Sequence, residues 1–153
     1  YERGDLPEAA LPIGQGARLD AAVAATQSER DRHEWIKHGT CAGTDQHGYF
    51  AAALALTDTI NASPLPKLFS DNMGNSLSAS RIASVIDEAF GAGAGKRVTL
   101  ECVSDGSRRL ISGIRIALQG TIAATPDLGA LAAAASPRSG GCRGGVVDPA
   151  GLQ

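Results

Sequence analysis

His33-Glu34-Trp35-Ile36-Lys37-His38-Gly39-Thr40-Cys41 gathers two imidazoles, a carboxylate and an ammonium within six residues. On a helix, at about 100° per residue from His33, Lys37 falls near 40°, Glu34 near 100° and His38 near 140°. The four polar groups then share an arc of roughly 140°. Trp35 and Ile36 fall near 200° and 300°, on the opposite side. The stretch reads as a helix with one chemical face and one anchored apolar face. Gly39 supplies a C-cap signal. Cys41 follows at once, so a crosslink there would hold the end of the helix.

Two other readings stand beside this one. A run of mixed charge on a helix is also what a solvated face looks like. Paired histidines beside a glutamate also suggest a metal site. Zinc-protease helices, however, carry His-Glu-x-x-His, with imidazoles four apart and about 40° apart in projection. Here they are five apart and diverge by about 140°.

Upstream, residues 1–17 hold Gly4, Pro7, Pro12, Gly14 and Gly16 and read as an irregular entry segment. Residues 19–26 are Ala-rich, with Leu19 and Val23 at i and i+4, and predict a short helix. Ser28 is a candidate N-cap for the His33 helix, with Glu29 in its first turn. Downstream, Thr44-Asp45 caps a helix reaching Asn61. Tyr49, Phe50, Ala53, Leu54, Thr57 and Ile60 form its stripe, which reads as core rather than a base-stacking platform. His47 in its first turn reads as a surface residue. Pro64 and Pro66 end that helix, and residues 65–69 make a short helix or turn before a Met73-Gly74-Asn75 loop.

Ser78 or Ser80 caps a further helix whose buried stripe is Ile82, Val85, Ile86, Ala89 and Phe90. The run Gly91-Ala92-Gly93-Ala94-Gly95 follows a helix and precedes a strand, the reverse of a phosphate loop, and reads as a flexible connector. Residues 98–103 alternate as a strand, and Ser104-Asp105-Gly106-Ser107 is a turn. In 110–118, Leu110, Ile114, Ile116 and Leu118 share one side. The expected fold class is α+β, an antiparallel sheet packed with several helices. Residues 120–145 are a loop-rich tail too poor in large apolar groups to order itself without a staple. Val146-Val147 would add an edge strand.

The chain has 153 residues, enough for one domain spanning 1–153, and 43% apolar content supports a core. Aromatic content is 4%, so that core rests on Ala, Leu, Ile and Val. A net charge of −2 excludes a protein that grips nucleic acid through a broad basic surface. No apolar run reaches the length of a membrane span, and no basic-then-apolar signal peptide opens the sequence, an absence that means little if Tyr1 was created by processing. Three cysteines leave one without a partner inside the chain if the compartment is oxidising.

The segment His33 to Cys41 resembles the second active-site segment of the ribonuclease T2 family. The helix from Asp45 containing Tyr49-Phe50, residues 65–72, the strand 98–102 and Gly141-Cys142 resemble its bacterial periplasmic, ribonuclease I-like branch. The likeness covers roughly residues 17–150. It implies a metal-free endoribonuclease of the periplasm or secreted space, using no cofactor. It cleaves single-stranded RNA by transfer through a 2′,3′-cyclic phosphate. Imidazole suits such proton transfers near neutrality. By resemblance His38 is the acid–base histidine, Lys37 and Glu34 stabilise the phosphorane, and His33 holds a phosphate oxygen. Trp35 and Ile36 are structural.

The resemblance also implies a Cys102–Cys142 disulfide. It pairs Cys41 with a cysteine that lies earlier, and none precedes Cys41 here. The family's first segment, His-Gly-Leu-Trp-Pro, with the second catalytic histidine, does not occur in residues 1–32. The hairpin 98–118 supplies two strands, marginal by themselves. These points lead to one expectation: a partner polypeptide from an upstream fragment of the same precursor, disulfide-linked through Cys41. The alternative is a non-catalytic, binding or toxin-like relative that lacks the first histidine.

Overall fold

The computed structural model describes residues 30–148. The irregular entry, the 19–26 helix and the Ser28 cap lie outside the described residues. In chain order the elements are α1 (Arg30–Lys37), a 3-10 turn (Gly39–Cys41), α2 (Gln46–Asn61), α3 (Leu65–Asp71), β1 (Ser76–Ser78), α4 (Ala79–Phe90), a second 3-10 turn (Ala94–Arg97), β2 (Val98–Asp105), β3 (Arg108–Ile116), α5 (Leu128–Ala134) and β4 (Gly144–Val146). This is an α+β fold. The chain forms two compact units. Of the described residues, 30–58 and 122–126 fall in one, and 59–121 and 127–148 in the other.

The first unit is helical. Asp45 caps α2: its carboxylate accepts from the Gly48 amide at 2.7 Å and its carbonyl from the Tyr49 amide at 3.0 Å. Phe50 and Leu54 are buried one turn apart, with Trp35 and Tyr49 packed against them.

The second unit holds the sheet, ordered β1-β4-β3-β2. β2 pairs antiparallel with β3, and β1 with β4, but β4 meets β3 in parallel at Leu110 and Val146. The sheet is therefore mixed, not purely antiparallel. β4 lies inside it rather than at its edge. The alternation rule missed β1 because three residues show no period. With β1 and β4 the chain itself adds two strands to the hairpin.

Register also corrects the face of β3. Glu101 pairs with Gly113 but Cys102 pairs with Ile111, leaving Ser112 as a bulge. One extra residue inverts the phase, so Ile111 takes the core place that alternation gave to Leu110; Ile111, Ile114, Ile116 and Leu118 pack on the core.

That core gathers Leu65, Leu77, Ile82, Val85, Ile86, Ala94, Leu100, Ala132 and Val147. Ile82 and Ile86, both fully buried on α4, each contribute about 1.5–3 kcal/mol of burial. Ser78 is the α4 cap, its hydroxyl accepting from the Arg81 amide at 3.2 Å.

The Gly91–Gly95 run is a packed connection rather than a flexible one. The Gly95 amide donates to Asp87 Oδ1 at 2.7 Å, and a Cβ at Gly95 would stand 2.4 Å from the Ala83 carbonyl oxygen. Only glycine permits that approach.

The tail expected to be loop-rich contains α5. Asp127 caps it by accepting from the Ala130 amide, and Leu128, Leu131 and Ala132 are buried. Arg97 donates to the Ala133 and Ala135 carbonyls, satisfying acceptors at the C-terminal end of α5, and to the Gly93 carbonyl at the start of its own 3-10 turn. Cys102 and Cys142 form a disulfide across 40 positions, with Cα atoms 6.1 Å apart. In the chain-entropy model a loop of that size stabilises by about 4 kcal/mol. Among the described residues no helix is long and apolar enough to cross a membrane.

Candidate active site

Helix α1 ends at Lys37, and His38 already departs from helical geometry at φ −125°, ψ −40°. Its amide still donates to the Glu34 carbonyl at 2.9 Å, closing the last turn. The chain then tightens: the Cys41 amide donates to the His38 carbonyl and the Thr40 hydroxyl to the Ile36 carbonyl at 3.1 Å. His38 therefore sits at a junction of two helical turns, fixed through its backbone and open at its ring.

Gly39 has a different job from the one its position suggests. It is buried, opens the 3-10 turn and is not among the described glycines at positive φ. A Cβ there would lie 2.0 Å from Trp35 Cε3. The indole packs flat into the space a side chain would occupy, so glycine is required by contact and not by backbone freedom. Trp35 in turn meets Tyr49 edge to face, centroids 5.7 Å apart, and Tyr49 meets Phe50 at 5.2 Å. This aromatic series ties α1 to the buried pair on α2.

His38 Nε2 stands 3.7 Å from Glu34 Oε2, with the two side chains 53% and 44% exposed. That separation exceeds a direct hydrogen bond but suits an ion pair when the imidazole is protonated. His33 and Lys37 are exposed on the same helix. Cys41 is an exposed free thiol. His47 is exposed in the first turn of α2. Among the described residues no group of three or more His, Cys, Asp or Glu gathers as a metal would need. Cys102 and Cys142 belong to the other unit.

Tyr49 is the residue that sequence reasoning undervalued. Burial, and next the negative charge of Glu34, raise its phenol above the usual tyrosine range. A core stripe read by hydropathy treats Tyr49 as a packing residue, yet the Glu34 charge also acts on its phenol. The available signal was a tyrosine where phenylalanine would pack equally well.

The model of the ribonuclease T2 family matches residues 20–126, which include α1, the turn after it and α2. This chain belongs to the ribonuclease T2 family. It is also 29% identical over 148 residues to ribonuclease I of Escherichia coli (strain K12). That likeness covers 95% of this chain and 54% of the relative, so the chain spans about half the length of the curated protein it matches.

Proposed function

We propose that this chain carries one half of an endoribonuclease site. The enzyme would cleave single-stranded RNA by transphosphorylation. The ribose 2′-hydroxyl attacks the neighbouring phosphorus, the 5′-oxygen leaves, and a 2′,3′-cyclic phosphate forms. One group takes the 2′-proton and another returns a proton to the leaving oxygen. His38 is one of these groups. Lys37 opposes the charge that builds on the phosphorane, Glu34 orients or hydrogen-bonds at the same centre, and His33 holds a phosphate oxygen. The observation that carries this reading is the 3.7 Å approach of Glu34 and His38 beside two further exposed cations or imidazoles, in a chain of this family.

The second catalytic histidine would come from a polypeptide segment outside these 153 residues, joined through the exposed Cys41 thiol. Such a crosslink belongs to the periplasm or the secreted space. The alternative is a non-catalytic relative whose full chain lacks His-Gly-Leu-Trp-Pro.

The test is an RNA cleavage assay on the chain alone and on its complex with a polypeptide bearing His-Gly-Leu-Trp-Pro and a cysteine. Cleavage should need the complex, and His38→Ala should lower its rate by about two to four powers of ten without unfolding it. Full cleavage by His38→Ala overturns the assignment. Full activity of residues 1–153 with Cys41 as a free thiol overturns the need for a partner. An inert complex establishes the non-catalytic reading.

A further inference from the structure

The sheet unit carries a groove of about 740 Å³ that belongs to none of the chemistry above. It opens where the β2–β3 turn, the start of β4 and strand β1 come together. Arg108, Arg109 and Arg143 line it, with the hydroxyls of Ser76, Ser104 and Ser107. No carboxylate and no aromatic ring is among its lining residues.

The floor is backbone. A Cβ on Gly145 would stand 2.8 Å from the Arg109 carbonyl oxygen, and one on Gly144 would stand 2.7 Å from that of Leu77. The Gly144-Gly145 pair thus keeps β4 flat between its neighbours and leaves the groove clear of side chains. Arg143 is anchored through its carbonyl, which accepts from the Ala79 amide at 2.9 Å.

The cations differ in their commitments. Arg108 is paired with Asp105. Arg109 and Arg143 are exposed and, among the described residues, have no ion-pair partner. In a chain of net charge −2 these two unneutralised guanidiniums at one groove are a local excess. Guanidinium forks match phosphate oxygens, and serine hydroxyls add donors. Lacking aromatic rings, the groove has nothing to stack bases on. Its chemistry is that of a backbone reader, indifferent to base identity.

We propose that this groove binds the phosphodiester backbone of single-stranded RNA, through Arg109 and Arg143, as a site separate from the catalytic residues. The choice of RNA as the polyanion rests on the proposed ribonuclease reading. Such a site would hold phosphates of a long strand and raise affinity for polymer.

The probe is a fluorescent 2′-O-methyl oligouridylate about ten nucleotides long, which has no 2′-hydroxyl and cannot be cleaved. Its anisotropy is followed on residues 1–153 across a salt series. Arg109→Gln/Arg143→Gln should weaken binding at least about tenfold. Two lost phosphate contacts should also reduce the log–log salt slope by about 1.4, at ~0.7 per contact for single strands. The charge control Lys67→Gln/Arg81→Gln should bind like the parent. Equal weakening by the control, or an unchanged double variant, overturns the proposal. So does displacement of the oligomer by inorganic phosphate at equal phosphate concentration, which would mark a site for the free ion. Should the glutamine pair not fold, Arg109→Lys/Arg143→Lys decides. It should keep the salt slope but lose affinity, and unchanged affinity overturns the fork. His38→Ala should leave the arginine dependence of oligomer binding intact. A failed groove therefore leaves RNA cleavage with no arginine dependence, whereas a failed catalytic reading leaves arginine dependence with no cleavage.

Discussion

Two buried side chains, Phe50 and Leu54, underlie the described part of the helical unit, whereas the main core cluster of the sheet unit has nine. The helical unit holds its reactive groups at the surface on short-range contacts: a turn closed by His38, an indole against Gly39, an edge-on tyrosine. The sheet unit is held by long-range pairing, a disulfide and two fully buried isoleucines. The contrast teaches that the groups proposed for chemistry need fixed neighbours more than deep burial. A polymer substrate can reach only what is exposed. Damage should accordingly appear as lost stability in one unit and as lost activity in the other.

The largest stability effect belongs to the sheet unit. Ile86→Ala should cost about 2–5 kcal/mol in urea unfolding followed by circular dichroism. The fraction that remains folded should keep its catalytic rate in the complex. A rate loss matching His38→Ala would erase the contrast.

Opening the disulfide comes next. Cys102→Ser/Cys142→Ser should lower stability by about 3–4 kcal/mol, seen as a fall in the urea midpoint. Non-reducing peptide mapping of the parent should give a Cys102–Cys142 link; a link from either to Cys41 would contradict the fold.

In the helical unit, Gly39→Ala places a methyl group where the indole lies. Overpacking of this kind costs about 1–3 kcal/mol. Trp35 is the chain's single tryptophan, so its emission reports the displacement directly. Activity should fall by more than the stability loss explains, because His38 adjoins the same turn. An unshifted emission maximum would show that the indole has room to spare.

The smallest effect is Asp45→Ala, the loss of the α2 cap, at about 0.5–2 kcal/mol, measured by thermal unfolding. It sharpens the comparison by asking whether the start of the next helix, only seven positions beyond His38, changes catalysis at all.

The same contrast explains what could be read from the sequence. The His33–Lys37 helix, the stripe of α2, the Ser78 cap and the hairpin are local, and residue spacing reveals them. β1 and the interior place of β4 depend on partners far along the chain, which no window of spacing contains, and the Ser112 bulge sits inside the hairpin but breaks the alternation that spacing reads. Within the candidate site, the approach of Glu34 to His38 follows from i, i+4 geometry. The role of Gly39 was not legible, since glycine after a helix suggests a cap whatever the neighbouring indole does. The influence of Glu34 on the Tyr49 phenol was equally hidden, because hydropathy takes no account of a neighbouring charge.

β4 joins β1 to β3, yet its residues 144–146 leave the ribosome after every other strand of the sheet. Until they emerge, the β2–β3 hairpin and the Ser76–Ser78 segment have no common strand, and Cys102 waits without Cys142. The order of synthesis thus delays completion of the sheet until residues 144–146 are made. During that interval two strand edges stand open to other chains, and a holding chaperone or quick oxidation would decide between folding and aggregation.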